Sequence, residues 1–260
     1  FSKEGIMRIR EPAVAGMFYT ADPDDLAREV QGYLAQAPGA PEQPRAVIVP
    51  HAGHIYSGPV AAHSYARLTS TSRVVLAGPA HYVPVRGIVA PRAQAWRTPL
   101  GLVEIDEQAL ESLGLPRDDA PHAPEHSLEV QLPFLQERLA PGWRLVPLLV
   151  GLAQPHEVAD ILESFLADPD TTVVLSTDLS HYHPYRLAQE QDRRTAAHIV
   201  GRDWRQIADD DACGAYPLRG LLLAAERLDL PVTLLDLRNS GDTAGPPDRV
   251  VGYGAFAVGP

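Results

Sequence analysis

The sequence predicts an α/β fold with a central mixed, mainly parallel sheet flanked by helices, and three observations support it. Apolar, partly β-branched runs at residues 46–49, 73–78, 144–150 and 171–176 read as buried strands. Helical patterns lie between them, as crossover connections between parallel strands require. The first two strands end alike, in Pro50-His51 and in Pro79-Ala80-His81. One βαβ unit is therefore expected to set both histidines on the same edge of neighbouring strands, where open α/β sheets bind ligands.

The elements follow in order. Residues 10–19 (REPAVAGMFY) have no clean period and read as an extended segment lying on the core. Asp22 caps a helix that runs to about residue 34, with Pro23 in its first turn and acids favoured by the helix dipole. Residues 37–44 form a Pro/Gly linker, with too little sequence ahead of it for an independent core. After strand 46–49, Pro50 stops ladder pairing, and Gly53 and Gly58 allow a turn into a helix expected over 59–68. Strand 73–78 leads to short antiparallel strands within 85–90 and 96–106 and a helix over 107–113. A loop carrying His122, Glu125 and His126 precedes a helix over 127–139, which Ser127 could cap. Strand 144–150, helix 155–166, strand 171–176 and a polar helix over 186–200 come next. Cys213-Gly214 precedes a helix that runs to residue 228. Strand 232–237, a turn over 239–245 and a strand over 249–258 that closes the sheet complete the chain.

Composition narrows the function classes. The 260 residues allow one large α/β domain or two small ones. Residues 1–6, ahead of Met7, are read as a leader foreign to the fold. Apolar runs fall short of a membrane span, no signal-peptide pattern is visible, and a net charge of −11 argues against general nucleic-acid binding. A single cysteine excludes an internal disulfide and a thiolate-rich zinc site, and it fits a reducing, cytoplasmic setting. Any metal is then expected on nitrogen and oxygen ligands.

Several of the ten histidines fall at strand exits. His51 and His81 supply two imidazoles, and Fe(II) or Mn(II) commonly takes two imidazoles and a carboxylate on one face. The carboxylate could be Asp242, Asp178 or Glu125. His181, at the exit of strand 171–176, is the better acid–base or substrate-orienting candidate, with His126 and Glu125 as alternatives. Asp178 could equally cap its turn. Cys213 reads as a buried small hydrophobe, His183 as a surface residue, and His63, His156 and His198 as helix residues outside any site.

VPHAGHIYSG, GPAHY, WRTPLG, EHSLEVQLPFL, STDLSHY, Cys213-Gly214 before an apolar helix, and SGDTAG with VVGYGA occur in the order expected of the Memo family. On these segments the chain resembles that family from residue 10 to residue 258. Its bacterial and archaeal members are called AmmeMemoRadiSam system protein B. The family is similar to the class III extradiol dioxygenases, whose non-heme iron is held by two histidines and a carboxylate.

The resemblance implies a single domain over residues 7–260, a site at one sheet edge, and His51 and His81 as metal ligands. It sets the third ligand, a cysteine in eukaryotic relatives, in the segment matching residues 240–243. This chain has no cysteine there, so Asp242 or a water is expected to substitute, and Cys213 is not expected to ligate. His54, where the family often has tyrosine, is an extra imidazole near the site. The implied function is an oxidoreductase with a divalent metal, Fe(II) first and Cu or Zn as alternatives, acting on a small molecule. The alternative is a metal-binding or peptide-binding protein without turnover, working with AMMECR-type and radical SAM partners.

Overall fold

The computed structural model describes residues 5–40 and 42–260. The leader expected at residues 1–6 therefore falls largely outside the described residues. The chain opens with β1 (Ile9–Arg10), followed by α1 (Pro23–Gln36), whose cap is Asp22, its carboxylate accepting from Asp25 N–H. Next come β2 (Ala46–Val49), α2 (His54–Tyr65), β3 (Arg73–Pro79), β4 (Ile88–Val89), β5 (Ala95–Thr98), β6 (Gly101–Glu104) and α3 (Glu107–Leu113). The middle of the chain forms α4 (His126–Glu129), α5 (Leu132–Arg138), β7 (Arg144–Val150), α6 (Pro155–Ala167) and β8 (Thr171–Ser176). It ends with β9 (His181–His183), α7 (Tyr185–Val200), α8 (Ala215–Arg227), β10 (Val232–Asn239) and β11 (Val250–Val258). Among the described residues no helix is long and apolar enough to cross a membrane.

The main sheet has the order β10-β11-β2-β8-β3-β7-β4, with β9 pairing β11. Its centre, β2, β8, β3 and β7, is parallel, and antiparallel strands lie on either side. This is the mixed, mainly parallel sheet expected, and α2, α6, α7 and α8 flank it. A small second sheet, β1-β5-β6, carries the N-terminal segment.

Several expectations need correcting. The two histidine-bearing strands are parallel but not neighbours, because β8 lies between β2 and β3. All six residues of β8 are buried, and its β-branched run suits the most enclosed position of the sheet. Helix α2 begins at His54 rather than near Pro59. Pro59 sits inside it and forgoes only the bond to the carbonyl of Ile55, on an exposed turn that water can reach. The single helix expected over 127–139 is two, α4 and α5, because Pro133 has no N–H to offer the carbonyl of Glu129. The cap of α4 is Glu125, whose carboxylate accepts from Ser127 N–H. In addition, β11 runs inside the sheet, so β10 forms that edge.

One buried ion pair ties the N-terminal segment to the site. Arg10 Nη1 donates to Glu129 Oε2 at 2.7 Å, with both side chains almost wholly buried. Arg10 also donates to the carbonyls of His122 and Glu125, both at 2.8 Å, and lies over the Trp96 ring. Glu129 accepts from Ala13 N–H, Val14 N–H and Tyr19 Oη. Every strong group of the pair is satisfied, so the segment over residues 10–19 is fastened directly to the loop that presents Glu125 and His126. Arg10→Met leaves a buried carboxylate without its cation, and we expect urea unfolding to show a loss of about 3–5 kcal/mol. A loss under about 1 kcal/mol, the range of an exposed pair, would contradict this role.

Candidate metal centre

The parallel strands end on one edge, and their exits assemble the centre. β2 delivers His51 just past Pro50, and β3 delivers His81 just past Pro79. β8, between them, contributes Ser176, Thr177 and Asp178. The His51 and His81 ring centroids lie 5.1 Å apart, and His126, the first residue of α4, lies 4.7 Å from His81 and 5.3 Å from His51. Cys213 comes from the loop before α8, and its Sγ is 3.2 Å from His51 Nε2. Donor atoms of His51, His81 and Cys213 all lie within 4.8 Å of one another, as do those of His81, Glu125 and His126.

Counting protons fixes the tautomers of the first two histidines. Ser176 has one hydroxyl proton and donates it to the carbonyl of Ser127 at 2.7 Å. Its lone pairs accept from Gln131 Nε2 at 3.0 Å and face His51 Nδ1 at 2.8 Å. His51 Nδ1 must therefore carry the proton, which leaves Nε2 bare on the Cys213 side. Gln131 is itself held, because Tyr65 Oη donates to its Oε1 and its Nε2 also donates to the carbonyl of Pro50. His81 follows the same logic. Its Nδ1 lies 2.8 Å from Glu125 Oε1, and an ionised carboxylate can only accept, so Nδ1 is protonated and Nε2 is the nitrogen left to meet an ion. A ring nitrogen tied to a carboxylate or hydroxyl behind, with a free partner in front, is the usual dress of a metal-ligating histidine.

The loop before α8 is sewn to the exit of β8. Asp178 N–H donates to Cys213 Sγ at 3.4 Å, Cys213 N–H to the carbonyl of Asp178 at 3.3 Å, and Gly214 N–H to Thr177 Oγ1 at 2.9 Å. A Cβ on Gly214 would come within 2.8 Å of the Thr177 side chain and 3.0 Å of the Ser176 carbonyl oxygen. Only glycine lets this loop close in far enough to bring the thiol to His51.

Burial sets the charges. It holds His51 well below the usual histidine range, and the nearby His81 adds to the effect. Burial, then His51, brings His126 down to about 4. Burial alone would raise Glu125, but hydrogen bonds from the His81 ring and backbone and from Ser127 N–H win and lower it to about 2. Asp178 is raised by burial, although His51 N–H donates to its Oδ1 at 2.7 Å. Burial, with the Asp178 carboxylate beside it, pushes the Cys213 thiol up to about 12. At neutral pH the centre thus offers neutral imidazoles at His51 and His126, an anionic Glu125 and a protonated thiol. The donor set fits a transition-metal ion, with nitrogen lone pairs in front and a negative charge behind.

A cavity of about 640 Å³ opens from this centre. His51, His81, His126, Asp178 and Cys213 line it, as does His181, which β9 holds against β11. The structure does not bring Asp242 to the pair. Its Oδ2 accepts from Asn239 N–H and its Oδ1 from Tyr185 Oη, so the carboxylate closes a turn instead. His54 also points away from the cavity, with Nε2 donating to the carbonyl of Val130 and its ring packed between Tyr19 and Phe134. Cys213, expected only to pack, is the sulfur at the centre. Sequence reasoning missed it because it lies 162 residues from His51 in the chain, with no local pattern linking the two. The fastening of His51 by Ser176 was missed for the same reason, and the serine closing strand 171–176 was its only trace.

Residues 10–257, a range that holds every side chain of this centre, match the family model described as a Memo-like protein. A MEMO1 family protein of Saccharolobus solfataricus is 35% identical, with 96% of this chain and 99% of that protein covered. A MEMO1 family protein of Methanosarcina barkeri is 34% identical, with 96% and 100% covered. With both the family model and these relatives spanning nearly its whole length, the chain belongs to the Memo family.

Proposed function

We propose that this chain binds one metal ion through His51, His81 and Cys213 and acts with it as an oxidoreductase of dioxygenase-like type on a small substrate held in the cavity. The observation that carries the reading is that donor atoms of His51, His81 and Cys213 all lie within 4.8 Å of one another, while the Nδ1 of each imidazole is held by Ser176 or Glu125. Two nitrogens and a sulfur make a softer set than two imidazoles and a carboxylate, so Cu and Zn compete with Fe(II) for it. A bound ion would polarise a substrate oxygen as a Lewis acid and, if redox-active, open the way to oxygen chemistry.

The chain's own groups supply the rest. Glu125 keeps the His81 ring oriented, and Ser176 does the same for His51. His126 is neutral, and its Nδ1, buried without a hydrogen-bond partner and 3.4 Å from Glu125 Oε1, is placed to take up a proton. Asp178 Oδ2, 3.9 Å from His51 Nε2, is the carboxyl best able to hold a proton near the ligands, because burial favours its neutral form. His181 serves the outer part of the cavity, orienting substrate or relaying a proton. A second reading is a metal-carrying or peptide-binding protein that works with AMMECR-type and radical SAM partners. The thiol favours it, since a soft set also suits storing and passing on Cu or Zn.

Elemental analysis after loading is expected to give one ion per chain. His51→Ala and His81→Ala should abolish it, while Glu125→Gln should weaken binding about 10–100-fold by freeing the His81 ring. Asp242→Asn should bind as wild type; loss of the ion in that variant would restore the carboxylate as the third ligand. The pH dependence tests the sulfur. A thiol with a pKa of about 12 must lose its proton to ligate, whereas burial already favours the neutral form of His51. Affinity should therefore rise about tenfold per pH unit between about pH 6.5 and about pH 8.5, with one proton released to buffer. Cys213→Ser should flatten that slope, and a flat slope in wild type would remove Cys213 from the set. Turnover separates the two functions. Oxygen uptake by anaerobically Fe(II)-loaded protein, above the metal-free control with small phenolics, supports the enzyme, and its absence across them favours the carrier.

A further inference from the structure

The mouth of the cavity carries a feature that the metal centre does not use. Arg249 is the one arginine or lysine among the residues lining the cavity. Its guanidinium lies 5.0 Å from the centroid of the Tyr182 ring, over its face. Among the described residues it has no ion pair and no hydrogen-bond partner, and its chain neighbour Asp248 is exposed and unpaired with it. Two backbone irregularities produce this arrangement. Tyr182 has φ of 62°, a left-handed conformation unusual for an aromatic residue, between His181 and His183 of β9. Opposite it the register of β11 shifts between Val250 and Val251, directly after Arg249. A bulge of this kind re-aims a side chain where a regular ladder would turn it away. Tyr182 is 61% exposed, so burial does not explain why the strain is kept.

We propose that Arg249, stacked on Tyr182, receives the carboxylate of a small planar organic anion whose other end reaches the centre formed by His51, His81 and Cys213. A guanidinium fork matches a carboxylate in two parallel hydrogen bonds, and stacking on the tyrosine keeps it in one plane. A single cation suits a monoanion better than a phosphate, which gathers several. Phe18, Tyr56 and Tyr253 line the same cavity and offer apolar faces to a flat body. With a net charge of −11 the chain as a whole repels anions, so selection for one must come from this residue. The orientation toward the centre rests on the metal reading above; the carboxylate contact does not.

Calorimetry with 3-hydroxybenzoate and 3-hydroxybenzamide, close in shape and different in charge, tests this on both chelator-treated and Fe(II)-loaded protein. Wild type should bind the benzoate at least about tenfold more tightly, with the preference falling as salt is raised. Arg249→Gln should abolish the preference and Arg249→Lys keep part of it, while Arg238→Gln, which alters an arginine already paired with Asp236, should leave it intact. Equal binding of the two probes, binding of neither, or a preference that survives Arg249→Gln overturns the proposal. Because the chelator-treated protein is measured too, a preference present there stands even if metal binding fails, and metal binding can stand if the preference fails.

Discussion

His51 and His81 can turn their Nε2 atoms toward an ion only because their Nδ1 atoms are tied behind. Ser176 accepts a hydrogen bond from one and Glu125 from the other, the first in a buried setting and the second in a partly buried one. An imidazole without such a partner could rotate or change tautomer, and the convergence would be lost. Much of the surrounding structure serves these two bonds. Gln131 and Tyr65 complete the hydrogen bonding of Ser176, and the break between α4 and α5 places Gln131 where it can reach both Ser176 and Pro50. Arg10 grips the carbonyls on either side of the Glu125 loop and pairs with Glu129.

The sheet order makes these fastenings geometrically available. Had β2 and β3 been neighbours, no strand end would lie between the two histidines. With β8 between them, one strand exit supplies Ser176 behind His51, Thr177 for the Gly214 loop, and Asp178 beside the thiol. A buried network like this is stabilising only when every member is satisfied. Of the buried side-chain atoms without a partner among the described residues, His126 Nδ1 is the one whose residue lines the cavity. Under the proposed function that atom is held ready for a substrate or a proton.

The fold was largely legible because the strands carry strong local signals. Residues 46–49, 144–150 and 171–176 are apolar and β-branched enough to be read as strands with the bounds the structure gives. The two strand–proline–histidine exits likewise gave the correct edge. What stayed hidden was non-local. Strand order depends on which buried run best fits the middle of the sheet, and no single segment records that. Cys213 looked like packing because its chemistry comes from loops joined by backbone hydrogen bonds across 35 residues and more. Asp242 looked like a ligand because a carboxylate in a Gly-containing turn resembles one, yet the same composition makes a capped turn, and here it does. Glu125 reads as a site residue, but its role behind His81 depends on how the loop before α4 meets the exit of β3.

The central claim is that sulfur joins two imidazoles at one ion. X-ray absorption at the metal edge of the loaded protein measures this directly. We expect a sulfur scatterer at about 2.3 Å together with nitrogen scatterers near 2.0–2.1 Å. The sulfur should vanish in Cys213→Ser. A first coordination sphere of nitrogen and oxygen alone, the same in wild type and in Cys213→Ser, would contradict the account.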